Sequence, residues 1–144
     1  MVRRPLRACI LALFLLFPLG ALAMGFLGGD VPSSIPKPAR SFAFTLIDQQ
    51  GVETRLRDFT IEGSLYLTGQ HGKGTVAIPF ERVRVVRLQA VSAGLHARLD
   101  LADGTTADLV VDGRKKCYGR LEYGNFEIEL RDLERMVNHG EMPR

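Results

Sequence analysis

Gly74-Thr75-Val76-Ala77-Ile78-Pro79-Phe80-Glu81-Arg82-Val83 returns fifty positions later as Gly124-Asn125-Phe126-Glu127-Ile128-Glu129-Leu130-Arg131-Asp132-Leu133. In each copy a glycine precedes three apolar residues at alternate positions, then a pair of opposite charges. Apolar residues three apart follow, Val83 and Val86 in one copy and Leu133 and Met136 in the other. Alternation is the period of a half-buried strand, and a spacing of three marks one tight turn at its end. Leu130 to Asn138 is too short to sustain a helical stripe, so a single 3₁₀ or α turn is expected there.

Each copy is preceded by a second similarity. Phe42, Phe44 and Leu46 alternate with polar neighbours up to a turn at Asp48-Gln49-Gln50-Gly51, after which Thr54 and Leu56 resume the pattern. Leu95, Ala97, Leu99 and Leu101 do the same up to Asp103-Gly104, with Ala107, Leu109 and Val111 returning. Asp-Gly between alternating runs marks a hairpin because its turn positions favour positive φ. Gly51 lies over Gly104 and Leu56 over Leu109, three positions out of step with the later copy. An insertion of three residues is therefore expected between Asp58 and Lys73. These patterns imply an all-β fold, a small antiparallel barrel or sandwich built from two similar hairpin-plus-strand units at about 42–91 and 92–138.

The N-terminal residues read as an export signal. Arg3, Arg4 and Arg7 give the positive end, Ile10 to Leu19 the apolar stretch, and Ala21-Leu22-Ala23 the small-residue cleavage site. The expected organisation is a signal peptide at 1–23, a flexible Gly/Pro/Ser-rich linker at 24–41 and a β domain at 42–144. Cleavage near Ala23 would leave Met24 at the new N-terminus, and an uncleaved leader would serve as a membrane anchor.

The chain carries 19 Lys+Arg against 16 Asp+Glu, but three of the Arg lie in the leader. Without them acidic and basic residues balance, which removes the charge argument for nucleic-acid binding. Cys9 leaves with the leader, so Cys117 has no partner for an internal disulfide. Neither Asn125-Phe126-Glu127 nor Asn138-His139-Gly140 is a glycosylation acceptor. Both features favour a bacterial periplasm, or secretion beyond it.

Few residues suggest chemistry. Gly69-Gln70-His71-Gly72-Lys73-Gly74-Thr75 has glycines and a lysine, yet Gly74 separates Lys73 from Thr75 and a strand follows, so a hairpin loop is expected in place of a phosphate loop. Cys117 follows Arg114-Lys115-Lys116, and neighbouring cations can lower a thiol pKa. It is the candidate for a reactive thiol, although a buried Cys acting as a small hydrophobe explains the same pattern.

His71, His96 and His139 have no local metal spacing, and Asp100, Asp103, Asp108 and Asp112 fail the calcium-loop pattern. No catalytic residue, cofactor or metal is expected. Arg82, Arg84 and Arg87 form a basic run and are the candidate binding residues, suited to an envelope protein or an anionic surface. Tyr66, Tyr118 and Tyr123 are candidates to line a groove. The function expected is a non-catalytic binding or scaffolding role in the cell envelope. The alternatives are a thiol-dependent enzyme or redox protein using Cys117, or a membrane-anchored subunit of an envelope complex.

Overall fold

The computed structural model describes residues 34–143. The expected signal peptide, its cleavage site, residues 24–33 of the linker and Arg144 lie outside the described residues. The strands are β1 (Ser41–Asp48), β2 (Glu53–Ile61), β3 (Tyr66–His71), β4 (Gly74–Pro79), β5 (Val83–Val91), β6 (Gly94–Leu101), β7 (Thr106–Val111), β8 (Lys116–Leu121), β9 (Gly124–Glu129) and β10 (Leu133–Met142). Phe80–Arg82 and Leu130–Asp132 are single 3₁₀ turns leading into β5 and β10. The three-residue apolar spacing signalled both.

All ten strands belong to one antiparallel sheet in the order β4-β3-β7-β6-β5-β10-β1-β2-β8-β9. The all-β, antiparallel expectation holds. Its finer form is a curled open sheet, a half-barrel with β4 and β9 at the edges, instead of a closed barrel or a two-layer sandwich.

The connections force the curl. β2 and β3 stand six places apart in the sheet, as do β7 and β8. Six strand spacings in a flat sheet measure about 28 Å. The chain from Ile61 to Tyr66 reaches at most about 18 Å, and so does the chain from Val111 to Lys116. Both links are possible only because the sheet bends its two ends toward each other.

The concave side holds one core, which includes Phe42, Phe44, Leu56, Phe59, Leu99, Leu130 and Met136. Phe80 sits against three other rings, with centroids 5.7 Å from Phe42, 5.1 Å from Phe44 and 5.5 Å from Phe59. Each 3₁₀ turn is fixed to a crossover: the Phe80 N–H donates to the Leu65 carbonyl at 3.0 Å, and the Leu130 N–H to the Lys115 carbonyl at 2.9 Å. Close backbone approach is needed at Gly69 and Gly119. A Cβ at Gly69 would lie 2.8 Å from Leu109 Cβ, and one at Gly119 would lie 2.8 Å from Leu56 Cβ.

The segment before β1 packs on the sheet. Ile35 is buried, and Arg40 donates to Glu141 at 3.0 Å and also pairs with Glu81. In β9 the side chains of Glu127 and Glu129 point away from the core toward Lys116 and Arg131. Ile128 packs against the core's margin and Ile78 within it.

Candidate functional site

The convex face of the sheet has no layer covering it among the described residues. Strand register therefore decides what it presents. Arg135 on β10 stands opposite Arg87 on β5, and Arg87 opposite Arg98 on β6. All three are exposed, since Met136, Val86, Leu88, Ala97 and Leu99 take the alternate inward positions. Ile47 flanks the row on β1 and Asp108 on β7.

Like charges directly opposite on neighbouring strands repel. Arg87 is offset by Asp100, 2.6 Å away, and Asp108 is engaged by His96 at 3.2 Å. Among the described residues Arg98 and Arg135 have no ion-pair partner. The result is a positive strip three strands wide on an open face.

The basic run named from the sequence is divided by the fold. Arg87 joins the strip. Arg82 belongs to the 3₁₀ turn and lies 3.5 Å from Asp103, so strand alternation does not put it beside Arg84. Arg84 occupies a bulge between Val83 and Val85 and lines a small recess with Asp100, Thr105 and Thr106. Arg98 and Arg135 lie outside that run in the sequence. Folding the chain about Ser92-Ala93 would have put Arg98 opposite Arg87, whereas Arg135 arrives through a pairing no local pattern signals.

A second feature is a groove of about 670 Å³ between the β1–β2 and β8–β9 hairpins. Arg55, Arg57 and Arg120 line it, together with the exposed apolar residues Val52, Tyr123 and Met142. Arg57 and Arg120 are cross-strand partners. Arg120 reaches Asp58 at 3.4 Å, while Arg55 and Arg57 have no ion pair among the described residues. His139 on the same wall is held by Thr45, Nε2 to Oγ1 at 2.7 Å. Of the three tyrosines only Tyr123 reaches this groove; Tyr66 lies on β3 and Tyr118 on β8.

Cys117 is fully buried in β8, opposite Ile128. Burial pushes its thiol well above the ordinary range, and the charge of Glu62 adds to this. The lysines before it do not lower it, because Lys115 turns to the Thr68 hydroxyl and Lys116 to Glu127.

His71, His96 and His139 lie on β3, β6 and β10. No group of three or more His, Cys, Asp or Glu side chains is gathered among the described residues. Gly69 to Thr75 runs through the β3–β4 hairpin, with positive φ at Gly72. Asp103 and Asp112 close turns. Hydrogen bonds from Thr105 hold the Asp103 carboxyl below the usual carboxylate range, and the Arg114 backbone N–H does the same for Asp112.

No curated protein and no solved structure matches the chain. A family model does, over residues 38–141, a span that opens just before β1 and closes within β10. On that match across most of its length, the chain belongs to the family described as "Uncharacterised protein".

Proposed function

We propose that this is an exported, non-catalytic binding or scaffolding protein of the bacterial envelope, acting in the periplasm or outside the cell, and that it holds an anionic partner on its convex face. The observation that carries the reading is the Arg135–Arg87–Arg98 strip. Three guanidinium groups set opposite one another cost stability unless an anion occupies the face, and among the described residues only Arg87 has an ion pair, Asp108 opposite Arg98 being engaged by His96. The leader pattern at 1–23 supports export. The burial of Cys117 favours a core role for that residue over chemistry.

The test is capture of acidic envelope proteins and of anionic vesicles by wild type and by an Arg98→Glu/Arg135→Glu variant across a salt series. Weaker capture with a shallower salt dependence in the variant is expected, at a melting temperature no lower than that of wild type, since Arg87 then faces two carboxylates. Equal capture by both proteins refutes the reading. Intact mass of the fractionated protein tests export, with Met24 as the expected first residue; an uncleaved leader would replace cleavage with anchoring.

We further read the domain as two intertwined units, 42–91 and 92–138. Supporting this, exchanging β1 to β5 for β6 to β10 turns the strand order into its own reverse. The Gln49 N–H donates to the Asp132 carbonyl and the Ala102 N–H to the Arg82 carbonyl, both at 2.9 Å. Gly69 meets Leu109 as Gly119 meets Leu56, so each unit completes the other's packing.

A further inference from the structure

The sheet contains a gap. β8 pairs with β2 only from Arg57 onward, through Arg57↔Arg120, Thr60↔Tyr118 and Ile61↔Cys117. Glu53 to Leu56 are paired with β1 on one side and have no strand on the other among the described residues. The bond from the Asp48 N–H to the Val52 carbonyl, 3.1 Å, sets the phase of the β1–β2 ladder. Bonded and non-bonded pairs alternate in an antiparallel ladder, so Leu46 with Thr54 and Phe44 with Leu56 exchange bonds. The N–H and C=O groups of Glu53 and Arg55 then point away from β1, into the groove.

A row of unpaired main-chain groups is a template for another strand. The groove's far wall is the β8–β9 turn at Leu121, Glu122 and Tyr123. Its apolar lining is unusually open for large side chains, with Val52 54%, Met142 40% and Tyr123 88% exposed. On the convex side the gap is bordered by Glu53, Arg55 and Arg57, the two arginines without an ion pair among the described residues. An entering strand would turn alternate side chains to the inner side, lined by Val52 and Leu121, and to the convex side, where Arg55 and Arg57 outnumber Glu53 and Met142 adds an apolar contact.

We propose that this gap is a strand-addition site, taking an extended segment of a partner protein in which acidic and apolar residues alternate. Main-chain bonds to Glu53 and Arg55 would supply affinity, and the alternating side chains specificity. The proposal does not rest on the arginine strip, which lies on other strands.

The experiment titrates the full chain, as purified from cells, with a short synthetic peptide alternating Glu and Val. Controls are the Lys–Val peptide and a Glu–Val peptide N-methylated along one edge. The Glu–Val peptide should bind and protect the Glu53 and Arg55 amides from hydrogen exchange, and the other two should not bind. Arg55→Gln/Arg57→Gln should fold as the wild type does and weaken binding about tenfold, from loss of two cross-strand charge pairs. Binding without amide protection, or equal binding of the Lys–Val or N-methylated peptide, overturns the proposal. Protection of the same amides by self-association alone would assign the gap to a second copy and overturn it too.

Discussion

Truncating Phe80 to Ala removes the ring on which the concave core is centred. The side chain is 1% exposed and touches three other rings. A Phe→Ala change at such a site costs about 3–5 kcal/mol through lost transfer energy and the cavity left behind. The upper part of that range is expected, because aromatic pairs contribute about 0.5–1.5 kcal/mol each beyond their area. Against a total stability of roughly 5–15 kcal/mol, the variant keeps its fold with little margin. Its melting temperature should fall by about 16–20 °C, taking roughly 4 °C per kcal/mol for a domain of this size. The chain has no Trp, so urea unfolding is followed by far-ultraviolet circular dichroism. Phe80→Leu, which installs the residue found at the second turn, should cost about 1–2 kcal/mol. A loss below about 1 kcal/mol for Phe80→Ala, or a smaller loss than in Leu130→Ala, would show that the two turns have been assigned the wrong weights.

Gly69→Ala and Gly119→Ala should each destabilise by about 1–3 kcal/mol, since the added methyl meets the stem of a leucine and not its flexible end. If either is neutral by urea titration, the close approach of those strands is misplaced. Thr60 is fully buried, and its hydroxyl has no hydrogen-bond partner among the described residues; Thr60→Val should therefore match or exceed the wild-type melting temperature. A marked drop would reveal a partner for that oxygen. For Cys117 the folded thiol is held protonated while the unfolded thiol ionises near pH ~8.5, so above that pH the unfolded state binds fewer protons and stability falls. Cys117→Ala should flatten this part of the alkaline slope, and native Cys117 should react with a thiol reagent only on unfolding; rapid labelling of the folded protein at neutral pH would contradict the burial.

Local alternation revealed the strands well. Phe42, Phe44 and Leu46 point inward as their spacing implied, and Val83 with Val86, like Leu133 with Met136, marks a 3₁₀ turn. What stayed hidden was which strand lies beside which. Nothing near Arg87 indicates that Arg135 will stand opposite it, because β5 and β10 meet only across the four strands that separate them in the chain. The groove was illegible for the same reason: Arg57 and Arg120 become neighbours only when β8 docks on β2. The basic run at Arg82, Arg84 and Arg87 looked continuous in sequence. A turn and a bulge divide it, and neither leaves a charge signature.

The pairing of Ser41 with Met142 joins the two ends of the domain, and this constrains the order in which it can assemble. β1 lies between β2 and β10, so the first hairpin to be synthesised lacks its second neighbour until the last strand exists. Contacts of such long sequence separation make loop closure the slow step, and all-β chains of this kind fold in milliseconds to seconds. The block β4-β3-β7-β6-β5 can pair as soon as Val111 is made, whereas β1 and β2 stay apart from it until β10 supplies the strand that joins them.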